Sequence, residues 1–161
     1  MAPFRTASTK VGRRYVRLAE GDRVMMVAVV TNEPGLMLVS AGGHLIHFPL
    51  EEVNILSGVG KGVMGIKLDD GDTCLGGLVV GHKYDTLIVE ASDGKPMEYR
   101  ASRAEQVSRG GKGHEVVKRK SFVRVVPPPI QLADWDAVEE REKGSGGNPP
   151  RKDDSQKTLF E

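Results

Sequence analysis

Short runs of apolar residues alternate with glycine-containing turns along most of the chain. Runs of four to seven residues bounded by turn residues are typical of β-strands, and they occur at residues 15–18, 24–30, 36–40, 63–68, 74–80 and 87–91. Two further strands are expected through Phe48 and Tyr99, each after a glycine-containing turn. A helical period is weak and is confined to residues 132–143. The pattern therefore predicts an all-β fold of short strands.

The chain contains an internal repeat of 50 to 51 residues. Residues 36–62 align without a gap on residues 87–113. The identical positions are Leu36/Leu87, Gly43/Gly94, Ser57/Ser108, Gly60/Gly111, Lys61/Lys112 and Gly62/Gly113. Upstream, the acidic turn Glu20-Gly21-Asp22 aligns on Asp70-Gly71-Asp72 with a shift of 50. This period falls in the size range of propeller blades, and four short strands in each unit agree with a propeller-like blade.

The repeat divides the chain into three regions. We expect a disordered start at residues 1–9 and blades over residues 10–126, at about 10–62 and 63–113 with a partial third unit at 114–126. Pro127, Pro128 and Pro129 then end the sheet, because proline lacks the N–H that a strand ladder needs. Residues 127–161 are expected to form a Pro-rich, acidic and flexible tail. Repeat units need neighbours to bury their faces, so two blades suggest a terminal piece of a longer array.

Charge is distributed unevenly, although the formal net charge is only +1. Residues 1–130 carry 18 basic and 14 acidic residues, whereas residues 131–161 carry 5 and 8. Within the body, residues 95–124 hold nine basic and three acidic side chains, a local charge of +6. Such a cluster is a plausible footprint for a polyanion, and the alternative is a solvated basic face.

Composition and spacing argue against several classes of function. The one cysteine, Cys74, excludes an internal disulfide framework and fits a reducing compartment. The four histidines (His44, His47, His82 and His114) do not have metal-ligand spacing together with Cys74. A phosphate-binding loop of the Walker type is also absent, and no residues form a nucleophile–base set. We therefore expect no enzyme activity, no cofactor and no metal.

Membrane insertion and secretion are also not expected. The apolar run at residues 24–30 is too short to span a bilayer, and the N-terminal residues contain no apolar signal segment. The expected location is the cytoplasm.

Residues 107–113, Val-Ser-Arg-Gly-Gly-Lys-Gly, resemble the QRRGGKG box in the C-terminal domain of the DNA gyrase A subunit. Five of the seven positions match, from Arg109 to Gly113. The earlier segment at residues 56–62 keeps only Gly60, Lys61 and Gly62, and is similar to the degenerate boxes of later gyrase blades and of topoisomerase IV. The resemblance covers about residues 10–126. It implies a β-pinwheel, a wheel of blades that wraps DNA, from a type IIA topoisomerase.

The candidate DNA-binding residues follow from the basic cluster and from this resemblance. Lys61 and Lys112 lie between glycines, where the backbone can approach a phosphate closely. The other candidates are Arg100, Arg103, Arg109, Gly110, Gly111, Gly113, Lys118, Arg119 and Lys120. For each lysine turn, the alternative is a tight turn with a solvated side chain.

The function expected from these features is non-catalytic binding and bending of double-stranded DNA. The expected partners are DNA and the remaining domains of the topoisomerase A and B subunits. Phosphate contacts carry no base code, so binding is expected to tolerate sequence and to weaken with salt. Two rival functions remain: a protein-interaction module and an RNA-backbone binder.

The tail has two candidate functions besides that of a solvated segment. Its acids Asp134, Asp136, Glu139, Glu140 and Glu142 could fold over the basic rim and compete with DNA, which resembles the acidic tails of some gyrase A subunits. Alternatively, Gln156, Leu159 and Phe160 resemble a peptide that docks on the bacterial sliding clamp.

Overall fold

The computed structural model describes residues 14–56 and 58–127. These residues form β1 (Gly35–Ser40), β2 (His44–Pro49), β3 (Cys74–Val80), β4 (Thr86–Ala91), β5 (Pro96–Arg100), β6 (His114–Glu115) and β7 (Phe122–Val126). The helical elements of this part of the chain are two single 3-10 turns, Leu50–Glu52 and Ala101–Arg103. The predicted all-β class is therefore confirmed. No helix in the described ranges has the length and apolar character needed to cross a membrane.

The strands form two antiparallel sheets, each centred on a hairpin. The first sheet has the order β3-β1-β2-β6 and the second has the order β5-β4-β7. Leu36 lies opposite Phe48 in the first hairpin, and Leu87 lies opposite Tyr99 in the second. These pairs are related by the 51-residue shift, so the repeat is present in the register of the two hairpins.

Each hairpin also receives a strand from the next repeat unit. Strand β3 pairs with β1, and β7 pairs with β4 in the same way. Ser40 lies opposite Cys74, and Ala91 lies opposite Phe122. The register is interrupted at the equivalent step in both ladders, before Ser40 and before Ala91. A sheet thus combines strands of consecutive units, which the unit-by-unit interpretation of the sequence does not anticipate.

The first sheet buries apolar side chains on both faces. Met37 and Val39 of β1 belong to one core cluster, and Leu36 and Leu38 pack against another. The first cluster also contains residues of the second sheet: Leu87, Val89, Ala91 and Phe122. The ring of Phe122 meets that of Tyr99 edge to face, with centroids 5.9 Å apart. Burial on both faces explains the nearly continuous apolar sequence of β1 and β2, because neither face can be polar.

Three of the predicted strands do not form. Residues 15–18, 24–30 and 63–68 have no strand ladder within the described ranges, apart from one isolated bridge between Val16 and Gly60. An apolar run adopts strand structure only where a neighbouring edge supplies hydrogen-bond partners. Residues 15–18 and 63–68 instead make isolated backbone hydrogen bonds, to Gly60 and to Gly110 and Gly111, and every residue from 24 to 30 is exposed.

Several predictions concern residues outside the described ranges. The expected disordered start at 1–9, the acids at 134–142 and the clamp-like Gln156, Leu159 and Phe160 all lie there. The described part forms one compact unit that ends at Pro127.

Candidate nucleic-acid interface

Arg109, in the segment that resembles the gyrase box, is bound to the protein itself. Its backbone N–H donates to the Oε2 of Glu52 at 2.7 Å, and its Nε donates to the carbonyl oxygen of Glu52 at 3.1 Å. Its Nη1 donates to the carbonyl oxygen of Met64 at 2.6 Å. Arg109 therefore joins the turn after β2 to the loop that precedes β3, and two of its three guanidinium nitrogens are engaged.

The glycines of this segment also contact the loop before β3 and the backbone of β2. The N–H of Gly110 donates to the carbonyl of Gly65 at 2.9 Å, and the carbonyl of Gly111 accepts from the N–H of Lys67 at 2.8 Å. Gly113 has a φ of +72°, and a Cβ on it would collide with the carbonyl oxygen of Leu45. The close backbone approach that the sequence suggests is therefore made to this protein's own chain at these positions.

The earlier Gly-Lys-Gly segment keeps part of this arrangement. The carbonyl of Gly60 accepts from the N–H of Arg17 at 2.9 Å, which is the counterpart of the Gly111–Lys67 bond. The position equivalent to Arg109 is Gly58, which has no side chain to tie the loop down. Lys61 is exposed.

Two of the candidate lysines have acidic partners. Lys112 forms an ion pair with Asp69. Lys120 lies 2.6 Å from the Oδ2 of Asp93, and this hydrogen bond lowers the pKa of Asp93 below its ordinary value. Both pairs are largely open to solvent, so each contributes little to stability.

The side chains of the remaining candidate cations have no hydrogen bond or ion pair with any residue in the described ranges. They are Lys61, Arg100, Arg103, Lys118 and Arg119, and all five are exposed. Lys118 and Arg119 lie in the turn between β6 and β7, Arg100 ends β5, and Arg103 ends the 3-10 turn that follows. Unpaired cations keep their full charge available for an external anion, whereas Lys112 and Lys120 share theirs with an acidic partner.

Arg100 and Arg103 share the rim of a cleft of about 350 Å³. Glu98, Glu105 and His114 also line this cleft, and the Nε2 of His114 lies 3.8 Å from Glu105. The cleft has mixed charge, so its two arginines are the part of it that suits a phosphate.

Lys83 is a cation that the sequence did not single out. Its Nζ lies 5.1 Å from the ring centroid of Tyr84, within the range of a cation–π contact. Lys83 also lines a second cleft of about 190 Å³ together with His47 and His82. It lies twelve residues before the basic cluster, so a count of charge along the sequence does not connect the two.

Two of the histidines considered as metal ligands, His44 and His47, lie on β2. His44 is half-buried and His47 is buried, in agreement with strand positions whose side chains point to opposite faces of the sheet. The Nδ1 of His47 lies 3.0 Å from the carbonyl oxygen of Ala104. No group of three His, Cys, Asp or Glu side chains in residues 14–56 and 58–127 could hold a metal ion.

The equivalent aspartates of the two acidic turns accept hydrogen bonds from backbone amides. Asp22 accepts from the N–H of Ala19 at 3.3 Å. The Oδ1 of Asp72 accepts from the N–H groups of Gly42 and Thr73, each at 2.7 Å. Partial burial of Asp72 opposes its ionisation, but the hydrogen bonds from Ser40, Gly42 and Thr73 outweigh it and lower the pKa of Asp72.

Residues 36–80 match the family model described as DNA gyrase C-terminal domain, beta-propeller. This range contains β1, β2 and β3, three of the four strands of the first sheet. The family's matching segment is therefore a hairpin plus the strand donated by the next unit.

Curated relatives are A subunits of DNA gyrase. The chain is 35% identical over 103 residues to the gyrase A subunit of Helicobacter pylori strain J99, covering 63% of this chain and 12% of that protein. It is 34% identical over 116 residues to the gyrase A subunit of Lawsonia intracellularis, covering 70% of this chain and 14% of that protein. The chain thus spans about an eighth of the length of these relatives.

Solved structures agree in fold. The C-terminal domain of DNA topoisomerase IV aligns with a TM-score of 0.63 at 23% identity, over 70% of this chain and 36% of that one. The C-terminal domain of Escherichia coli ParC aligns with a TM-score of 0.52 at 17% identity, over 70% and 49%. These structures show the fold, and the family match at residues 36–80 and the gyrase relatives identify the chain as a member of the C-terminal domain family of DNA gyrase A subunits.

Proposed function

We propose that this chain binds duplex DNA through phosphate contacts and holds it bent, without cutting or joining strands. The observation that carries this proposal is the set of exposed cations that have no partner in residues 14–56 and 58–127: Lys61, Arg100, Arg103, Lys118 and Arg119. Each can neutralise a phosphate without losing a protein contact, and phosphate neutralisation supplies most of the affinity of non-specific DNA binding. Family membership supports the same ligand, because the relatives are DNA gyrase subunits.

The proposal separates the basic residues into three groups. Lys61, Arg100, Arg103, Lys118 and Arg119 are the proposed phosphate contacts. Arg109 is a positioning residue, because its guanidinium fastens the box to Glu52 and Met64. Lys112 and Lys120 are secondary contacts, since DNA has to compete with Asp69 and Asp93 for them.

The proposed bending requires that a duplex meets the cations on one of its sides. The cations belong to loops and strand ends rather than to sheet faces. Neutralising the phosphates on one side of a duplex leaves repulsion on the other side uncompensated, and the duplex then bends toward the protein. The proposed biological setting is the cytoplasm, where the chain would hold DNA for the cleaving and ATP-binding domains of a type IIA topoisomerase.

The salt dependence of binding tests this assignment. The affinity for a duplex of roughly 30 base pairs would be measured by fluorescence anisotropy over a salt series. Each lost phosphate contact should reduce the slope of log affinity against log salt by about 0.9. The Lys118→Ala/Arg119→Ala variant should therefore lower the slope by about 1.8, and Arg100→Ala/Arg103→Ala by about the same amount.

Lys120→Ala is the matched control, because it removes a cation from the same turn that already has an acidic partner. It should change the slope less than either residue of the Lys118–Arg119 pair. An unchanged slope in the quadruple variant would overturn the assignment. Tighter binding to duplex RNA of the same length would favour the RNA-backbone alternative.

A second measurement addresses catalysis. Incubation of the chain with supercoiled plasmid, Mg²⁺ and ATP should leave the plasmid topology unchanged. Relaxation, or a covalent protein–DNA adduct, would refute the non-catalytic part of the proposal.

A further inference from the structure

We propose that the cleft of about 190 Å³ beside β2, called here the His47 cleft, binds an unpaired nucleotide, with the base inside and the phosphate on Lys83 at the mouth. The first sheet contributes Gly35, His47 and Val80 to this cleft, and the opposite wall comes from the 3-10 turn after β5. None of the five proposed phosphate contacts for duplex DNA lines it. The cleft is therefore a separate site from the proposed duplex surface.

His47 places an unused hydrogen-bond acceptor at the cleft. Its Nδ1 lies 3.0 Å from the carbonyl oxygen of Ala104. A carbonyl only accepts, so the Nδ1 of the neutral ring carries the proton and the Nε2 keeps a lone pair. His47 is 7% exposed, and its Nε2 is buried without a partner in the described part of the chain. Leaving a buried polar atom unpaired costs free energy, so a ligand N–H that reaches the Nε2 recovers that cost.

Gly35 leaves this nitrogen uncovered on one side. A Cβ at Gly35 would lie 2.8 Å from the Nε2 of His47 and 3.5 Å from the Cβ of Val80. Because glycine has no Cβ, a donor group that enters over Gly35 comes within hydrogen-bond reach of the Nε2. In the second unit, Thr86 and Glu98 hold the equivalent positions. The pair of Gly35 and His47 is therefore not a requirement of the repeated hairpin.

The mouth of the cleft carries groups of the opposite kind. Lys83 and His82 line the cleft and are exposed. The Nδ1 of His82 accepts from the N–H of Tyr84 at 3.3 Å, so the neutral ring carries its proton on Nε2. The Nζ of Lys83 lies 5.1 Å from the ring centroid of Tyr84, which restrains the ammonium group at this turn. The mouth therefore suits an anion, whereas the inner end requires a donor.

Backbone hydrogen bonds hold the walls of the cleft together. The N–H of Ser102 donates to the carbonyl of Lys83 at 2.9 Å, which joins the 3-10 turn to the loop before β4. The N–H of Val107 donates to the carbonyl of His47 at 2.8 Å, which joins the following loop to β2. Because the cleft is already formed, a ligand has little chain to order on binding.

A nucleotide combines the two properties that the His47 cleft requires. Every base has an N–H on its Watson–Crick edge for the Nε2 of His47, and its flat faces suit the apolar side chains of Pro34, Val80 and Ala101. At about 190 Å³ the cleft is smaller than the pockets of about 300 Å³ and more that enclose drug-sized molecules, so it suits one ring system with the phosphate outside. Intact duplex DNA does not offer this ligand, because its bases are paired and stacked. The source is a free nucleotide or an unpaired nucleotide of DNA.

Titration of the isotope-labelled full chain with dAMP, followed by NMR, tests the proposal. At about 10 mM dAMP, which fills about nine-tenths of a millimolar site, the resonances of the His47 Nε2 and of the Lys83 and Ser102 amides should shift. Deoxyadenosine lacks the phosphate, and deoxyribose 5-phosphate lacks the base. Each should bind about fivefold more weakly than dAMP or worse, because each makes only one of the two contacts.

Two variants and a matched control locate the site. Lys83→Ala should weaken dAMP binding by about fivefold or more and leave deoxyadenosine binding unchanged. Lys95→Ala is the control, because it removes an exposed lysine at the other end of β4 and should bind dAMP as the natural chain does. Gly35→Ala should abolish binding, since its Cβ covers the Nε2 of His47. The Lys83 variant and the two ligand fragments decide the question whether or not Gly35→Ala folds.

Two DNA probes distinguish the sources of the nucleotide. If the nucleotide belongs to DNA, a duplex with a one-nucleotide bulge should bind about fivefold tighter than the intact duplex, and Lys83→Ala should remove the gain. Equal affinity for the two duplexes, with dAMP binding retained, would identify a free nucleotide as the ligand.

Three results would overturn the proposal. One is the absence of any shift at the highest dAMP concentration. Another is equal affinity for dAMP and deoxyribose 5-phosphate, which would reduce the site to an anion contact. The last is an equal loss of dAMP binding in Lys83→Ala and Lys95→Ala, which would indicate general attraction to basic side chains. The salt slope on intact duplex DNA concerns other residues, so its result bears on the duplex-binding function alone.

Discussion

Arg109 and Glu52, 57 residues apart, bind each other twice: the backbone N–H of Arg109 donates to the Glu52 carboxylate, and the Arg109 side chain donates to the Glu52 backbone carbonyl. A third bond from Arg109 to Met64 adds the loop before β3 to this junction. Arg109, which matches the gyrase box, thus holds two loops of the protein together through two of its guanidinium nitrogens.

Arg109→Ala should therefore lower stability more than DNA affinity. Hydrogen bonds to charged groups contribute about 1.5 to 3 kcal/mol each when broken, so we expect a loss of about 2 kcal/mol or more in the free energy of unfolding. Urea denaturation followed by circular dichroism measures this. Arg103→Ala, an exposed and unpaired arginine, is the control and should change stability by less than about 0.5 kcal/mol. Equal stability of the two variants would show that the hydrogen bonds of Arg109 to Glu52 and Met64 do not stabilise the fold.

Asp72 should make stability depend on acidic pH. Its folded pKa lies below the ordinary value of 3.8, so its contribution is complete above that value and is lost as pH falls through the lower folded pKa. Asp72→Asn should be less stable than the natural chain near neutral pH, and the difference should shrink below pH 3.8. Asp22→Asn is the matched control, because Asp22 holds a single amide in the equivalent turn. A pH-independent difference for Asp72→Asn would refute this.

Two glycines with positive φ should differ in what they tolerate. Gly94→Ala meets open space at φ +77°, so it should cost about 1 to 2 kcal/mol from backbone strain alone. Gly113→Ala adds a collision with the carbonyl of Leu45, and overpacking adds about 1 to 3 kcal/mol. Thermal or urea denaturation of both variants gives the comparison. Similar losses at the two sites would show that the contact with Leu45 relaxes easily.

Gly35 and His47 should be energetically coupled. A Cβ at Gly35 would lie 2.8 Å from the Nε2 of His47, a buried atom without a hydrogen-bond partner in the described part of the chain. Gly35→Ala should destabilise the chain by about 1 to 3 kcal/mol, and His47→Ala should remove most of that penalty in a double-mutant cycle. In the second unit the equivalent residues are Thr86 and Glu98, so a side chain is accepted where no ring opposes it. Additive effects would contradict the coupling.

The sequence predicts the strands that are bounded by turns and paired within one hairpin. β1, β2, β4 and β5 follow from local alternation and from glycine turns, and the 51-residue repeat predicts their matching register. The exchange of β3 and β7 between units is a long-range pairing, and alternation does not specify which edge a strand will meet.

The candidate site is likewise only partly predictable from the sequence. The sequence locates the basic residues, but charge alone cannot distinguish Lys118, which has no partner among the described residues, from Lys112, which binds Asp69. That distinction depends on a loop 43 residues away in the chain and therefore on the fold.

Because β3 and β6 lie far downstream of the first hairpin in the sequence, they cover its edges late during synthesis of the chain. The first hairpin is complete once Pro49 has been made, yet its outer edges are covered by β3 and by β6, which ends at Glu115. A nascent chain therefore carries an open, apolar sheet edge while more than 60 further residues are translated. Such an edge is prone to pair with a wrong strand. It is covered only after residues far downstream in the sequence have been synthesised.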